Sequence, residues 1–390
     1  LQNIEFKSIP ELGEYYFGTT FVMKVAGRCN LNCSYCYMYN KGDTTYTSRP
    51  RLMSREIAEA SLTRIGAYAR RHELSRVVLG IHGGEPLLAG REWMGWFLEL
   101  AKRTAESACV PFLIALQTNG VLLDERWMEL LAGYDVLLGI SADGPPEIHD
   151  LVRIDHAGRG SYTQVRRAIE LLASSYPATW GILTVADPAI RGTEVLKHFV
   201  DLGVPRIDFL WPDYHHDNRP PWPAGSLAKY YCELFDYWYG LPSPPHIRWF
   251  ETAMSLLLGR GWGFDGLGPD PVTDIMVESD GTWEPLDTLR TCGNGITRTG
   301  LDVRTHDVEA IWDVPLYQIG IQNQDLLPAV CRACEYRQVC GGGYLPHRYS
   351  HAAGFSNPSV HCRDLYAVLC HIRQRMATDL QKAGLTAVAD

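Results

Sequence analysis

The sequence predicts an α/β protein: a partial (β/α)6 barrel of the TIM type, followed by a smaller cysteine-bearing C-terminal module. Three observations carry this. Short apolar runs recur about six times with amphipathic stretches between them, and strand–helix–strand repetition builds a parallel sheet under helical crossovers. The segment PDYHHDNRPPWPAG (212–225), with four prolines, then breaks the rhythm. Seven of the eleven cysteines fall into two groups, three at 29–36 and four between 331 and 362.

Residues 1–18 read as an N-terminal extension. The runs TTFVMKVA (19–26), RVVLGIHG (76–83), PFLIALQT (111–118), DVLLGISA (135–142), ATWGILTV (178–185) and RIDFLW (206–211) read as buried strands. Between the first two, SREIAEASLTRIGAYARR (54–71) has helical periodicity, with Ser54 placed to cap it. A closed eight-unit barrel needs more repeats than the chain supplies, so residues 19–225 are assigned to a six-unit barrel. Residues 226–270 form a helical and loop link, in which YYCELFDYWYGLP (230–242) reads as one core helix and GRGWGFDGLGPDP (259–271) as a glycine-rich connection. Residues 271–390 form the cysteine module with a C-terminal helix.

Composition narrows the function. The chain has 390 residues, 46% of them hydrophobic and 21% charged, as in a globular protein. A net charge of −9 argues against nucleic acid as the main partner. No apolar run is long enough for a membrane span and no signal pattern opens the chain, so the expected location is the cytoplasm. In a reducing compartment the cysteines stay thiols or bind metal. Cys109, Cys232, Cys292 and Cys370, scattered singly, read as small buried hydrophobes.

The stretch RCNLNCSYCYM (28–38) directly follows the first strand, where active-site loops of a barrel begin. Three thiolates, Cys29, Cys33 and Cys36, can hold three irons of a four-iron, four-sulfur cube and leave the fourth iron open. Zinc is the competing reading, though structural zinc takes four protein ligands. The C-x3-C-x2-C pattern, with Tyr35 before its third cysteine, resembles the radical S-adenosylmethionine (SAM) superfamily. That resemblance implies a [4Fe–4S] cluster binding SAM and cleavage of SAM to a 5′-deoxyadenosyl radical. HGGEPLL (82–88) is similar to the family's glycine-glycine-glutamate motif, which implies that Gly83, Gly84 and Glu85 hold the SAM amino group. LQTNG (116–120) and ISADGPPEIHDLVR (140–153) resemble the ribose and carboxylate segments, implying Gln117, Asn119, Ser141 and Arg153 as further SAM contacts; the backbone of Tyr35 is expected to face adenine.

The C-terminal stretch CRACEYRQVCGGGYLPHRYS (331–350) and Cys362 resemble the SPASM/twitch type of auxiliary-cluster module. Cys331, Cys334, Cys340 and Cys362 are then the four ligands of an auxiliary [4Fe–4S] cluster, with zinc as the alternative. Tyr344 and Leu286 stand where the full pattern has cysteines, so a second auxiliary cluster is not expected and the total is two. In related maturases an aspartate following the missing cysteine acts as base; here it is Asp287, with a solvated turn residue as the plain alternative. Asp208 and Asp213, at the end of the sixth strand, are further candidates, and His215 and His216 read as a surface pair.

The run CGGGYLPHRYS, SNPSVHCRDL (356–365) and DGTWEPLDTLRTC resemble the FxsB-type cyclophane-forming maturases of ribosomal peptides. The implied activity is a side-chain crosslink between an aromatic ring carbon and a β-carbon. The alternatives are thioether formation, epimerisation, aliphatic rearrangement, or a non-catalytic iron–sulfur or zinc scaffold. The implied partners are a precursor peptide, leader and core, and an electron donor such as flavodoxin or ferredoxin. The short stretch before the first strand leaves leader recognition to the enzyme's own surface or a separate protein.

Overall fold

The computed structural model describes residues 6–384. Its strands are β1 Thr20–Ala26, β2 Val77–Gly83, β3 Phe112–Thr118, β4 Leu137–Ser141, β5 Trp180–Val185, β6 Ile207–Leu210, β7 Ile275–Val277 and β8 Trp283–Glu284. They form one sheet in the order β6-β5-β4-β3-β2-β1-β7-β8. β1 pairs in parallel with β2 and β7, β2 with β3, and β3 with β4; only β8 is recorded antiparallel, to β7. The six expected strands are all present. β7 and β8 extend the sheet beyond them, and at three and two residues they are too short to carry a readable period.

β2 to β5 are buried on one face rather than both, whereas β1 and β6–β8 carry consecutive buried residues. In β2, Val77, Leu79 and Ile81 are buried while Val78, Gly80 and His82 keep partial exposure; Ile114 and Leu116 against Ala115 and Gln117 repeat this in β3, and Leu138 and Ile140 against Gly139 and Ser141 in β4. A closed barrel fills its interior with branched side chains. Here Gly80 pairs with Ala115 and Gln117 with Gly139, so that face carries small residues, and the Gln117 side chain lies over Gly139. The opposite face holds the sheet in place: each fully buried Leu, Ile or Phe contributes about 1.5–3 kcal/mol.

The helix Arg55–Arg71 starts as expected, with Ser54 Oγ accepting from the Ile57 amide at 3.2 Å. Ile57, Ala58, Ser61, Leu62, Ile65 and Ala69 recur at helical spacing on its buried side.

Contacts divide the chain into two compact units: Leu1–Ala142, Pro146–Ile182 and Thr273–Gln322 in the first; Asp143–Pro145, Leu183–Val272 and Asn323–Asp390 in the second. The second contains the helices Ser226–Tyr239, Arg248–Leu257 and Cys362–Lys382. The aromatic stretch is core, as expected. Tyr231 and Phe235 are fully buried, and Tyr231 stacks on Trp211 with ring centroids 4.4 Å apart. Asp364 joins this helix from elsewhere in the unit, its Oδ1 accepting from the Gly225 and Ala228 amides at 3.0 and 2.7 Å. Among the described residues no helix is long and apolar enough to cross a membrane.

Candidate active site

The cysteine loop leaves β1 and folds against the end of β2. The Gly84 amide donates to the Ala26 carbonyl at 2.7 Å and the Glu85 amide to the Arg28 carbonyl at 3.0 Å. A side chain at Gly84 would overlap the Tyr39 hydroxyl and the Arg28 carbonyl, and one at Gly83 would overlap Ala26. These glycines therefore let one backbone approach another just before Cys29. Gly84→Ala should lower unfolding stability by about 1–3 kcal/mol through overpacking and reduce iron retention, checked by urea melts and iron assay; an alanine variant with unchanged iron content would contradict this close approach.

Glu85 is fully buried, and both its oxygens are engaged: Oε1 accepts from Thr118 Oγ1 at 2.7 Å and the Leu87 amide at 3.0 Å, Oε2 from the Asn119 amide at 2.8 Å. It ties β2 to β3. Asn119 Nδ2 reaches Asn30 Oδ1 at 2.8 Å and Cys29 Sγ at 3.6 Å, Gln117 Nε2 donates to Ser141 Oγ at 2.8 Å, and Arg153 Nη1 donates to the Tyr35 hydroxyl at 2.8 Å. All the residues expected to contact SAM thus lie in the first unit, several of them hydrogen-bonded to one another or to the cysteine loop.

The donor set suits a cationic cluster. Burial, then Glu85, Cys33 and Cys36, push the Cys29 thiol up to about 12, and burial chiefly raises Cys36. Thiols so placed become thiolates when iron supplies the opposing charge. Among the described residues no three His, Cys, Asp or Glu side chains are grouped to share one metal ion; in a cube each thiolate holds its own iron.

Beside this loop lies a group that the sequence reading missed apart from one member. Lys24, 1% exposed in the middle of β1, faces His82 of β2 in register. Its ammonium lies 3.1 Å from Tyr37 Oη, 3.1 Å from His82 Nδ1 and 3.9 Å from Met38 Sδ, and is in direct ion-pair contact with Asp287 Oδ2. The Tyr37 hydroxyl donates to the same carboxylate oxygen at 2.6 Å. Asp287 is therefore a buried residue and not a solvated turn. Burial pushes its carboxyl upward, but Lys24, with further help from Arg290, holds it well below the usual carboxylate range. Burial and the Lys24 charge lower His82 to about 3, so the imidazole is neutral, with Nδ1 3.1 Å from both Lys24 Nζ and the Gly83 carbonyl. The readable signal was a lysine inside the apolar run VMKVA.

Asp287 is held from behind by a buried ion network. Arg290 Nε donates to the Asp287 carbonyl at 2.9 Å, and its Nη2 to Glu278 Oε1 at 2.6 Å. Arg49 pairs with Glu278 at 2.6 Å and with Glu284, and Thr297 Oγ1 donates to Glu284 at 2.7 Å. Burial, then Glu278, raise Glu284 to about 6. Leu286, which stands in place of the missing cysteine, is buried beside Asp287.

In the second unit burial, then Cys362, Cys331 and Cys334, push the Cys340 thiol up to about 12, and burial, then Cys331 and Cys334, raise Cys362. Gly341, Gly342 and Gly343 all have positive φ, and a side chain at Gly341 would overlap the Gly268 carbonyl. The glycine run that suggested the cyclophane subgroup thus folds the cysteine loop. Asp208 is buried and bonded to Arg248 Nε at 2.8 Å. Asp213 lies 3.9 Å from His347 Nε2. His215 is 8% exposed and His216 Nε2 lies 2.8 Å from the Pro358 carbonyl, so the histidines are not a free surface pair.

An open-faced parallel sheet whose first strand delivers three clustered cysteines defines a radical SAM enzyme, and the model of the Radical SAM superfamily matches residues 23–188. A cysteine-type anaerobic sulfatase-maturating enzyme of Clostridium perfringens is 31% identical over 331 residues, covering 81% of this chain and 85% of that protein. A serine-type counterpart from Klebsiella aerogenes is 30% identical over 343 residues, with 84% and 79% covered. The structure of native anSMEcpe with bound AdoMet and Cp18Cys peptide superposes with a TM-score of 0.79 at 24% identity, covering 93% of this chain and 99% of that one. The chain belongs to the radical SAM superfamily, in the family of the anaerobic sulfatase-maturating enzymes. SAM and [4Fe–4S] clusters are the cofactors of such an enzyme.

These relatives overturn the cyclophane assignment, and with it the thioether, epimerisation, rearrangement and scaffold alternatives. The FxsB-type resemblance rested on segments such as CGGGYLPHRYS, where Leu345, His347 and Arg348 are buried. Their pattern reports packing around the cysteines rather than the reaction.

Proposed function

We propose that this enzyme oxidises the β-carbon of a cysteine or serine side chain in a polypeptide, giving formylglycine as in sulfatase maturation. Asp287 carries the reading: an ionised, buried carboxylate within the unit that bears Cys29, Cys33 and Cys36. Those three cysteines would hold the SAM-binding cluster, with Gly83, Gly84, Glu85, Gln117, Asn119, Ser141, Arg153 and the Tyr35 backbone around SAM, and Cys331, Cys334, Cys340 and Cys362 would hold the auxiliary one. When bound, these groups supply the 5′-deoxyadenosyl radical that removes one β-hydrogen atom and an acceptor for one electron.

This chain's residues manage the proton. Loss of a hydrogen atom leaves a carbon radical next to S–H or O–H; release of that proton and one electron forms the C=S or C=O bond. Asp287 takes the proton, while Tyr37 and Lys24 hold its Oδ2 and leave Oδ1 for the substrate. A serine yields the aldehyde directly; a cysteine yields a thioaldehyde, to which water adds with loss of hydrogen sulfide. The other acids are less suited: Asp208 is engaged by Arg248 and Asp213 faces His347. A low-potential donor such as flavodoxin or ferredoxin, in a reducing cytoplasm, would supply electrons for SAM cleavage.

The test is anaerobic reaction with sulfatase-derived peptides carrying Cys or Ser at the target position. Loss of two hydrogens from serine, or that loss with exchange of sulfur for oxygen from cysteine, is expected. Asp287→Asn should reduce product by at least about 10²-fold, the scale of general-base catalysis, while 5′-deoxyadenosine still forms. Full product from Asp287→Asn would remove the base assignment, and no aldehyde from either peptide would remove the substrate class.

A further inference from the structure

Buried arginines in this protein come in two kinds. Arg49 and Arg290 sit among Glu278, Glu284 and neighbouring acids, whose charges hold both guanidiniums above the usual range even though burial, the larger influence, opposes them. Arg348, 1% exposed in the second unit, is different. Its Nε donates to the Phe355 carbonyl at 3.0 Å, and both Nη atoms reach the Asn323 carbonyl at 3.4 Å. These acceptors are neutral, and among the described residues no carboxylate is within ion-pair reach. The groups able to carry negative charge beside it are the sulfurs of Cys331 and Cys340. Burial outweighs those sulfurs and pulls the guanidinium down to about 10. The loop is tight there: a β-carbon on Gly342, two residues past Cys340, would sit 3.5 Å from Arg348 Nη1.

A guanidinium stays charged in a protein, and a buried charge without a counter-charge is strongly destabilising. An iron–sulfur cube with four thiolates is a net anion, more negative when reduced. We infer that Arg348 is the internal counter-cation of the auxiliary cluster, promoting its assembly and favouring its reduced state. Local charge is one of the levers that set cluster potentials, and a cation buried beside the Cys340–Gly342 loop moves the potential upward, in the direction that suits an electron acceptor. The inference rests on the reading that Cys331, Cys334, Cys340 and Cys362 hold this cluster.

The test uses the full chain with Cys29, Cys33 and Cys36 all replaced by alanine, reconstituted with iron and sulfide so that only the auxiliary cluster is present. In an anaerobic redox titration followed by electron paramagnetic resonance, Arg348→Met should lower the reduced-to-oxidised ratio about tenfold at fixed ambient potential, equivalent to about 59 mV for one electron. Arg348→Lys, which keeps the charge, should stay near the parent. A folded, iron-loaded Arg348→Met protein with unchanged potential overturns the inference. If Arg348→Met fails to fold or load, Arg348→Lys decides: loading at the parent potential supports the charge role, and failure of both shows that side-chain shape matters instead. Retention of a four-iron cluster after Cys331, Cys334, Cys340 and Cys362 are all replaced by alanine in the same background would refute the ligand reading separately.

Discussion

Lys24→Met should move the pH dependence of product formation upward. In the native chain Lys24 is the largest charge offsetting the burial of Asp287, with Arg290 behind it. Without the ammonium the Asp287 carboxyl moves up. Each pH unit below its shifted value leaves about tenfold less carboxylate, so product formation should begin to fall at a higher pH than in the native protein and recover as pH rises. 5′-Deoxyadenosine formation should continue, because the radical-forming step does not use Asp287. Stability is linked to the same carboxyl. In the native protein the depressed Asp287 contributes stability above the unfolded value of about 3.9, lost as pH falls through its lower folded value. In Lys24→Met the upward shift of the carboxyl shrinks that contribution. The measurement is the pH–rate profile of product against 5′-deoxyadenosine for both proteins. A Lys24→Met profile parallel to the native one would show that the ammonium does not keep Asp287 ionised.

The parts of this enzyme set by local chemistry were readable before the structure. Six strands announce themselves by apolar runs, and the cysteine spacings mark the two loops proposed to hold clusters, because a cube constrains its ligands closely. Asp287 was reachable only through resemblance, since DGTWEPLD reads locally as a polar turn. Its burial comes from Lys24, Tyr37 and Arg290, which lie 263, 250 and 3 residues away in sequence. The Arg49–Glu278–Glu284–Arg290 network was invisible for the same reason: each residue alone is an ordinary surface charge, and only tertiary packing pairs them. Glu85 shows the opposite case. Its position in a motif was correctly noticed, yet its observed contacts are to Thr118, Asn119 and Leu87, a job of joining strands that no motif states. The cyclophane assignment failed because glycines and a buried Arg348 around Cys340 record the folding of a loop and say nothing of where substrate binds.

Arg290→Met should be the most destabilising single change in the first unit and the one that best separates position from charge. Arg290 is fully buried; it pairs with Glu278 at 2.6 Å, lies 3.4 Å from Asp43 and 3.5 Å from Glu284, and donates to the Asp287 carbonyl. Removing one partner of a buried ion network leaves charges uncompensated and costs about 3–5 kcal/mol. That loss should depend on pH in a defined direction. Glu284 is already raised to about 6 by burial and by Glu278, so its favourable contribution is fully present below the unfolded value of about 4.3 and fades as pH rises through about 6. Without the guanidinium, protonation of Glu284 becomes easier still, and the deficit of Arg290→Met should shrink as pH falls from 8 toward about 5. Urea melts of both proteins across that range measure it. A deficit that stays constant with pH would mean that Arg290 acts through packing alone. A native-like stability would mean that the network carboxylates are neutral in the folded protein, and the electrostatic support drawn here for Asp287 would have to come from Lys24 and Tyr37 without it.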